Sequence, residues 1–212
     1  MPGRFEYQPR PVPAQASEGL RTFLDDELQA IADWINLKNV QWDDLRFPAS
    51  AANPPGLTSD PDYDTTNGGW LFDASSVELL FFQVQMPHGW KEGSTIHPHV
   101  HWQKTTSAGG DVYWQIEYKH APIGEVMDAA FTTLTVSSTV PGTPDNDTAG
   151  EHLISTFGDL DMSGKTLSDM LMVKLSRVGG NGADTYGADA RLLEFDIHYE
   201  INSHGSGREF IK

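Results

Sequence analysis

Leu193-Glu-Phe-Asp-Ile-His-Tyr-Glu-Ile201 alternates apolar and polar side chains without a break. A period of two is the pattern of a strand with one face buried and the other wet. It assigns Leu193, Phe195, Ile197, Tyr199 and Ile201 to a core, and Glu194, Asp196, His198 and Glu200 to an outer face. Val112, Trp114, Ile116 and Tyr118 alternate in the same way with Tyr113, Gln115, Glu117 and Lys119. Working outward, strands are predicted near 70–73, 77–86, 94–104, 112–121, 131–140, 151–157, 171–178 and 190–202. Between them lie turn-rich breaks such as Pro87-His-Gly89, Ser107-Ala-Gly-Gly110 and Gly179-Gly-Asn-Gly182. Strands without alternating helices predict an antiparallel β-sandwich, and their lengths and longer crossovers favour a jelly roll. Residues 165–170 read as one helical turn.

The first third of the chain has a different texture. Residues 1–19 contain Pro2, Pro9, Pro11 and Pro13 with little apolar periodicity, which predicts an extended arm with no core of its own. Leu20, Phe23, Leu24, Leu28, Ile31, Trp34 and Ile35 then recur at three- and four-residue spacing, the stripe of an amphipathic helix. A single stripe must be covered, either by the chain's own sandwich or in a bundle with other copies. Residues 43–69, with Asn53-Pro-Pro-Gly56 and Ser59-Asp-Pro-Asp62, read as a long turn-rich connector. The expected organisation is therefore arm and helix over 1–42, connector over 43–69 and sandwich over 70–212.

Composition narrows the partners. With 30 acidic against 14 basic residues the formal net charge is −16, a field that repels nucleic acid and anionic membranes. The longest apolar run, Val77-Glu-Leu-Leu-Phe-Phe82, is too short for a bilayer and is interrupted by a charge. The first residues lack the apolar core of a secretion signal, so synthesis in a cytoplasm is expected. The absence of cysteine removes disulfides and thiolate ligands.

Ile96-His-Pro-His-Val-His-Trp102 is the strongest chemical signal. In a strand, His97, His99 and His101 share one face about 7 Å apart, so two neighbours can pinch a metal ion while the third stands too far away. Further ligands would have to come from other strands, with His152 as a candidate. The spacing invites comparison with the cupin first motif, Gly-x5-His-x-His-x3–4-Glu, since Gly93 stands six residues before His99 and His101 completes the pair. Thr105 and Thr106 occupy the positions of the glutamate ligand, however. No nucleophile elbow, phosphate loop or His-Glu-x-x-His is present. The expectation is accordingly no catalytic residue, no cofactor and no bound metal. The histidine row is instead expected to face carboxylates, with Asp196, His198 and Glu200 completing a pH-sensitive polar face and the histidine pKa values raised.

Three stretches carry a further resemblance. Leu20-Arg-Thr-Phe-Leu-Asp-Asp-Glu-Leu-Gln-Ala-Ile-Ala-Asp-Trp-Ile35 resembles the N-terminal helix of many tailed-bacteriophage structural proteins. Gly93-Ser-Thr-Ile-His-Pro-His-Val-His-Trp102 and the ending from Asp196 to Lys212 look like phage virion proteins of the head and neck. The resemblance implies a non-enzymatic virion protein, attached through its N-terminal region and displaying the sandwich on the head, collar or tail. It implies as partners other copies of the chain, a trimer being one such arrangement, and other virion proteins. Two alternatives stand beside it. One is a cupin-like metal-dependent enzyme using His97, His99 and His101. The other is a carbohydrate- or receptor-binding sandwich with Trp70, Trp90 and Tyr186 as aromatic platforms.

Overall fold

The structure is a computed structural model, and it describes residues 17–37, 41–140 and 148–209. In chain order the elements are helix α1 (Glu18–Leu37), strand β1 (Gln41–Pro48), a 3-10 turn (Ala49–Ala51), β2 (Asp62–Tyr63), β3 (Trp70–Phe72), β4 (Val77–Gln85), β5 (Ile96–Lys104), β6 (Gly110–Ala121), β7 (Thr132–Val140), β8 (His152–Thr156), β9 (Met170–Val178) and β10 (Ala190–Ile201). The eight predicted strands correspond to β3 through β10. Residues 165–170 hold no helical turn; Ser168 instead adopts a left-handed conformation, with φ 65°.

All ladders are antiparallel, and they form two sheets. One has the order β2-β3-β10-β5-β8 with β1 also paired to β10, and the other has the order β4-β9-β6-β7. Each strand of the first half pairs with its mirror partner in the second: β3 with β10, β4 with β9, β5 with β8 and β6 with β7. A long hairpin rolled up on itself produces this nesting, so the topology is that of a jelly roll.

The alternating strands meet face to face. Trp102, Trp114, Phe72, Phe82, Phe195, Val100, Ile116, Leu175 and Ile197 are buried between the sheets. Phe72 meets Trp114 edge-on at 5.2 Å, and Phe82 meets Phe195 at 5.2 Å. Each such side chain contributes about 1.5–3 kcal/mol through the water it sheds.

β1 was not expected. Residues 43–48, read as connector, and residues 41–42, read as the end of the N-terminal segment, form a strand that lies along β10 from Gln41↔Ile201 to Pro48↔Glu194. Its alternation is short, with Leu45 and Phe47 packing on the core and Trp42, Asp44 and Arg46 facing outward. β1 and β3 thus share one edge of β10, β3 covering Ala190–Leu192 and β1 the remainder. Between these two parts the β5–β10 register shifts, from Leu192↔Trp102 to Glu194↔His101. The extra residue is Leu193. The bulge turns it out of the core, where the alternation had placed it, and buries Leu192 instead. Tyr199 fastens β1 further, its hydroxyl donating to Asp43 Oδ2 at 2.9 Å. Burial and that carboxylate push the phenol up to about 12.

Among the described side chains, α1 contributes none to the sandwich core. Leu20, Phe23 and Ile31 are 50, 59 and 49 % exposed, Leu24, Leu28 and Ile35 are partly buried, and Ala32 is buried. The Trp34 side chain and most of the predicted arm lie outside the described residues.

Candidate functional site

The outer face of the larger sheet carries the histidines. Register places Asp196 opposite His99, Glu194 opposite His101 and His198 opposite His97. On the other edge of β10, Asp44 stands opposite His198 and Arg46 opposite Asp196. Because all of these residues point away from the core, three strands pool their polar side chains. They border a cleft of about 430 Å³ lined by Asp44, Arg46, His99, His101, His152, Ile154, Leu193, Glu194, Asp196 and His198.

The middle of this face is tightly packed. His99 and Asp196 are each only 4 % exposed although they lie outside the sandwich. His99 Nε2 stands 3.1 Å from Asp196 Oδ1, and His101 Nε2 stands 3.5 Å from Asp196 Oδ2. His99 and His198 rings meet edge-on at 4.3 Å, and His198 Nε2 lies 3.0 Å from Asp44 Oδ1. At the rim, Arg46 donates two hydrogen bonds to Glu194, at 2.6 and 2.8 Å. His101 Nδ1 and His152 Nε2 are 2.8 Å apart, so one ring must donate to the other.

Charge is distributed unevenly among these rings. Burial pushes the His99 imidazolium down, but the adjoining Asp196 carboxylate outweighs it and the net pKa is raised. His101 moves the opposite way. Burial lowers it, and the neighbouring His99 adds to the effect. The expectation of uniformly raised values fails at His101 because burial lowers it most and two other imidazoles, His99 and His152, add to that against the Asp196 carboxylate.

Of the residues singled out in the sequence, His99, His101, His152, Asp196 and His198 come together here. His97 lies beside the cleft, its Nδ1 2.8 Å from Asp159 Oδ1 and its ring against Trp42. Glu200 is turned away, accepting from Lys91 Nζ at 2.6 Å. Thr105 and Thr106, in place of the cupin glutamate, both donate backbone N–H groups to the Tyr186 hydroxyl. Trp90 and Tyr186 are buried, and Trp70 donates its indole N–H to the Ala49 carbonyl while packing against Tyr63. None of the three is an open platform. Asp44 and Arg46 were missed, and the alternation around Leu45 and Phe47 was the available signal.

No family model matches the chain, and no curated protein matches it. Distant structural similarities exist. A CBM35 from Cellvibrio japonicus Abf62 is 12 % identical, with 77 % of this chain and 95 % of that chain covered and a TM-score of 0.40. The CBM36-1 domain of a multidomain xylanase from the hindgut metagenome of Trinervitermes trinervoides is 10 % identical over 78 % of this chain and 100 % of that chain, with a TM-score of 0.38. The CBM22-2 xylan-binding domain of Paenibacillus barcinonensis Xyn10C is 10 % identical over 73 % and 98 % of the two chains, with a TM-score of 0.33. Likeness this distant carries no argument about what this chain binds.

Proposed function

We propose that the chain is a non-enzymatic structural protein of a tailed-phage virion, attached through its N-terminal region and displaying the jelly roll. The observation that carries this reading is α1, which keeps Leu20, Phe23 and Ile31 half exposed and, among its described side chains, adds none to the sandwich core. Apolar side chains left in water are unfavourable, and a partner surface that covers these three removes that cost. Among the described residues the sandwich closes its core without the helix, and on this reading the two parts divide the work between attachment and display. Deleting residues 1–37 tests the reading. The truncated chain is expected to stay folded and to be absent from assembled particles. Particles that incorporate it at the parent level would overturn the assignment.

A second reading rests on the cleft. Its carboxylates, imidazoles and guanidinium offer the directional hydrogen bonds that a glycan hydroxyl needs. A glycan array probed with the parent chain and with Glu194→Gln separates the two. A glycan signal lost in the variant supports ligand binding, whereas no signal leaves display as the role of this face.

A further inference from the structure

We propose that His99, Asp196 and His198 form a binding site for a divalent first-row transition-metal cation. This goes beyond the attachment role and does not depend on it. One ligand atom from each residue lies within 4.8 Å of the others, and the three come from two adjacent strands, β5 and β10.

Asp196 is buried, yet its Oδ1 accepts no hydrogen bond. His99 Nε2 approaches to 3.1 Å, but its direction does not make one. The other nitrogen explains why. His99 Nδ1 lies 3.4 Å from the His97 carbonyl oxygen, which can only accept, so Nδ1 carries the proton of the neutral ring. In that form Nε2 turns a lone pair toward the Asp196 carboxylate. Either a proton on Nε2 or a metal cation bonded to both groups would fill the space between them, and the two compete for it.

The donor set indicates the class of metal. Two imidazoles and a carboxylate suit zinc, nickel or cobalt, whereas calcium and magnesium prefer all-oxygen cages. Metal–nitrogen bonds of ~2.0–2.1 Å in a tetrahedron separate ligand atoms by ~3.4 Å, so the cluster needs only a modest contraction. His198 can supply it, because its side chain is 47 % exposed. Asp44 beside His198 and His101 beside Asp196 Oδ2 are placed to orient the ligands, as outer partners of metal sites do. The fourth position opens onto the cleft, where water or a group from another molecule completes the shell. Sequence spacing had paired His99 with His101. The structure instead pairs His99 with two residues of the last strand.

The test uses the full chain, purified without an affinity tag, stripped with chelator and titrated calorimetrically with zinc chloride at pH 7.5. One zinc per chain is expected to bind saturably. His198→Gln and Asp196→Asn should weaken binding by more than the ~10–100-fold that loss of an outer partner costs. His198→Gln alters a half-exposed side chain, and an unchanged thermal melt without metal verifies its fold. Zinc should raise the melting temperature of the parent chain and not that of His198→Gln. No saturable binding would overturn the proposal. So would binding that survives His198→Gln but is lost in His152→Gln, which would place the ion on the His101–His152 pair.

Discussion

Arg177 and Asp184 form an ion pair sealed inside the protein, with Nη2 2.7 Å from Oδ1, Nε 2.9 Å from Oδ2 and both side chains essentially inaccessible to water. The remaining guanidinium hydrogens go to the carbonyls of Phe72, Tyr186 and Ala188. One residue of β9 thereby holds both the end of β3 and the loop that leads into β10. Removing one partner leaves an unpaired buried charge, which costs about 3–5 kcal/mol. Asp184→Ala is expected to lower stability by that amount in urea unfolding. A loss below about 1 kcal/mol, the range of a surface pair, would show that water reaches the guanidinium.

A second buried pair makes stability depend on acid. Burial raises the Asp169 pKa, but hydrogen bonds donated by the Thr166 and Ile123 backbone N–H groups and by His120 Nε2 outweigh it, so the net value falls below the usual 3.8. A carboxylate with a depressed folded pKa stabilises the fold above its unfolded value, and this contribution fades as pH falls through the folded one. The urea midpoint should therefore be steady above about pH 4 on account of this group and decline below it. Asp169→Asn should be less stable at neutral pH and lose part of that acid dependence. An identical acid profile in the variant would assign the decline to other carboxylates.

Trp102 donates its indole N–H to Ser155 Oγ at 2.8 Å, joining β5 to β8 beneath the cleft. Ser155→Ala would leave a buried donor without a partner, at a cost of about 1–3 kcal/mol. Thermal melting reads this directly. An unchanged melt would mean that the indole had found another acceptor.

The jelly roll was legible in the sequence because each of its eight strands carries a signal of its own. Residues 112–119 and 193–201 alternate, and glycine-rich turns separate the rest. β1 carried only a faint signal, because Leu45 and Phe47 are its only core-facing apolar pair and prolines and glycines crowd the segment that follows. The bulge at Leu193 was hidden for a related reason. Alternation fixes the faces only while the register holds, and one inserted residue exchanges Leu192 for Leu193 in the core. The site was half visible. The three histidines announced a polar face, and Asp196 and His198 could be placed on one of their own. Which residue stood opposite which depended on β5 lying beside β10, a pairing between strands about ninety residues apart in the chain that no local pattern encodes.

The most direct measurement concerns α1. In the triple variant Leu20→Asp/Phe23→Asp/Ile31→Asp, three exposed apolar side chains of the helix become charged. The variant should melt at the parent temperature, since none of the three belongs to the core. Mixed with particles lacking the protein and sedimented, the parent chain should pellet with them and the variant should stay in the supernatant. A variant that pellets at the parent level would contradict attachment through the helix.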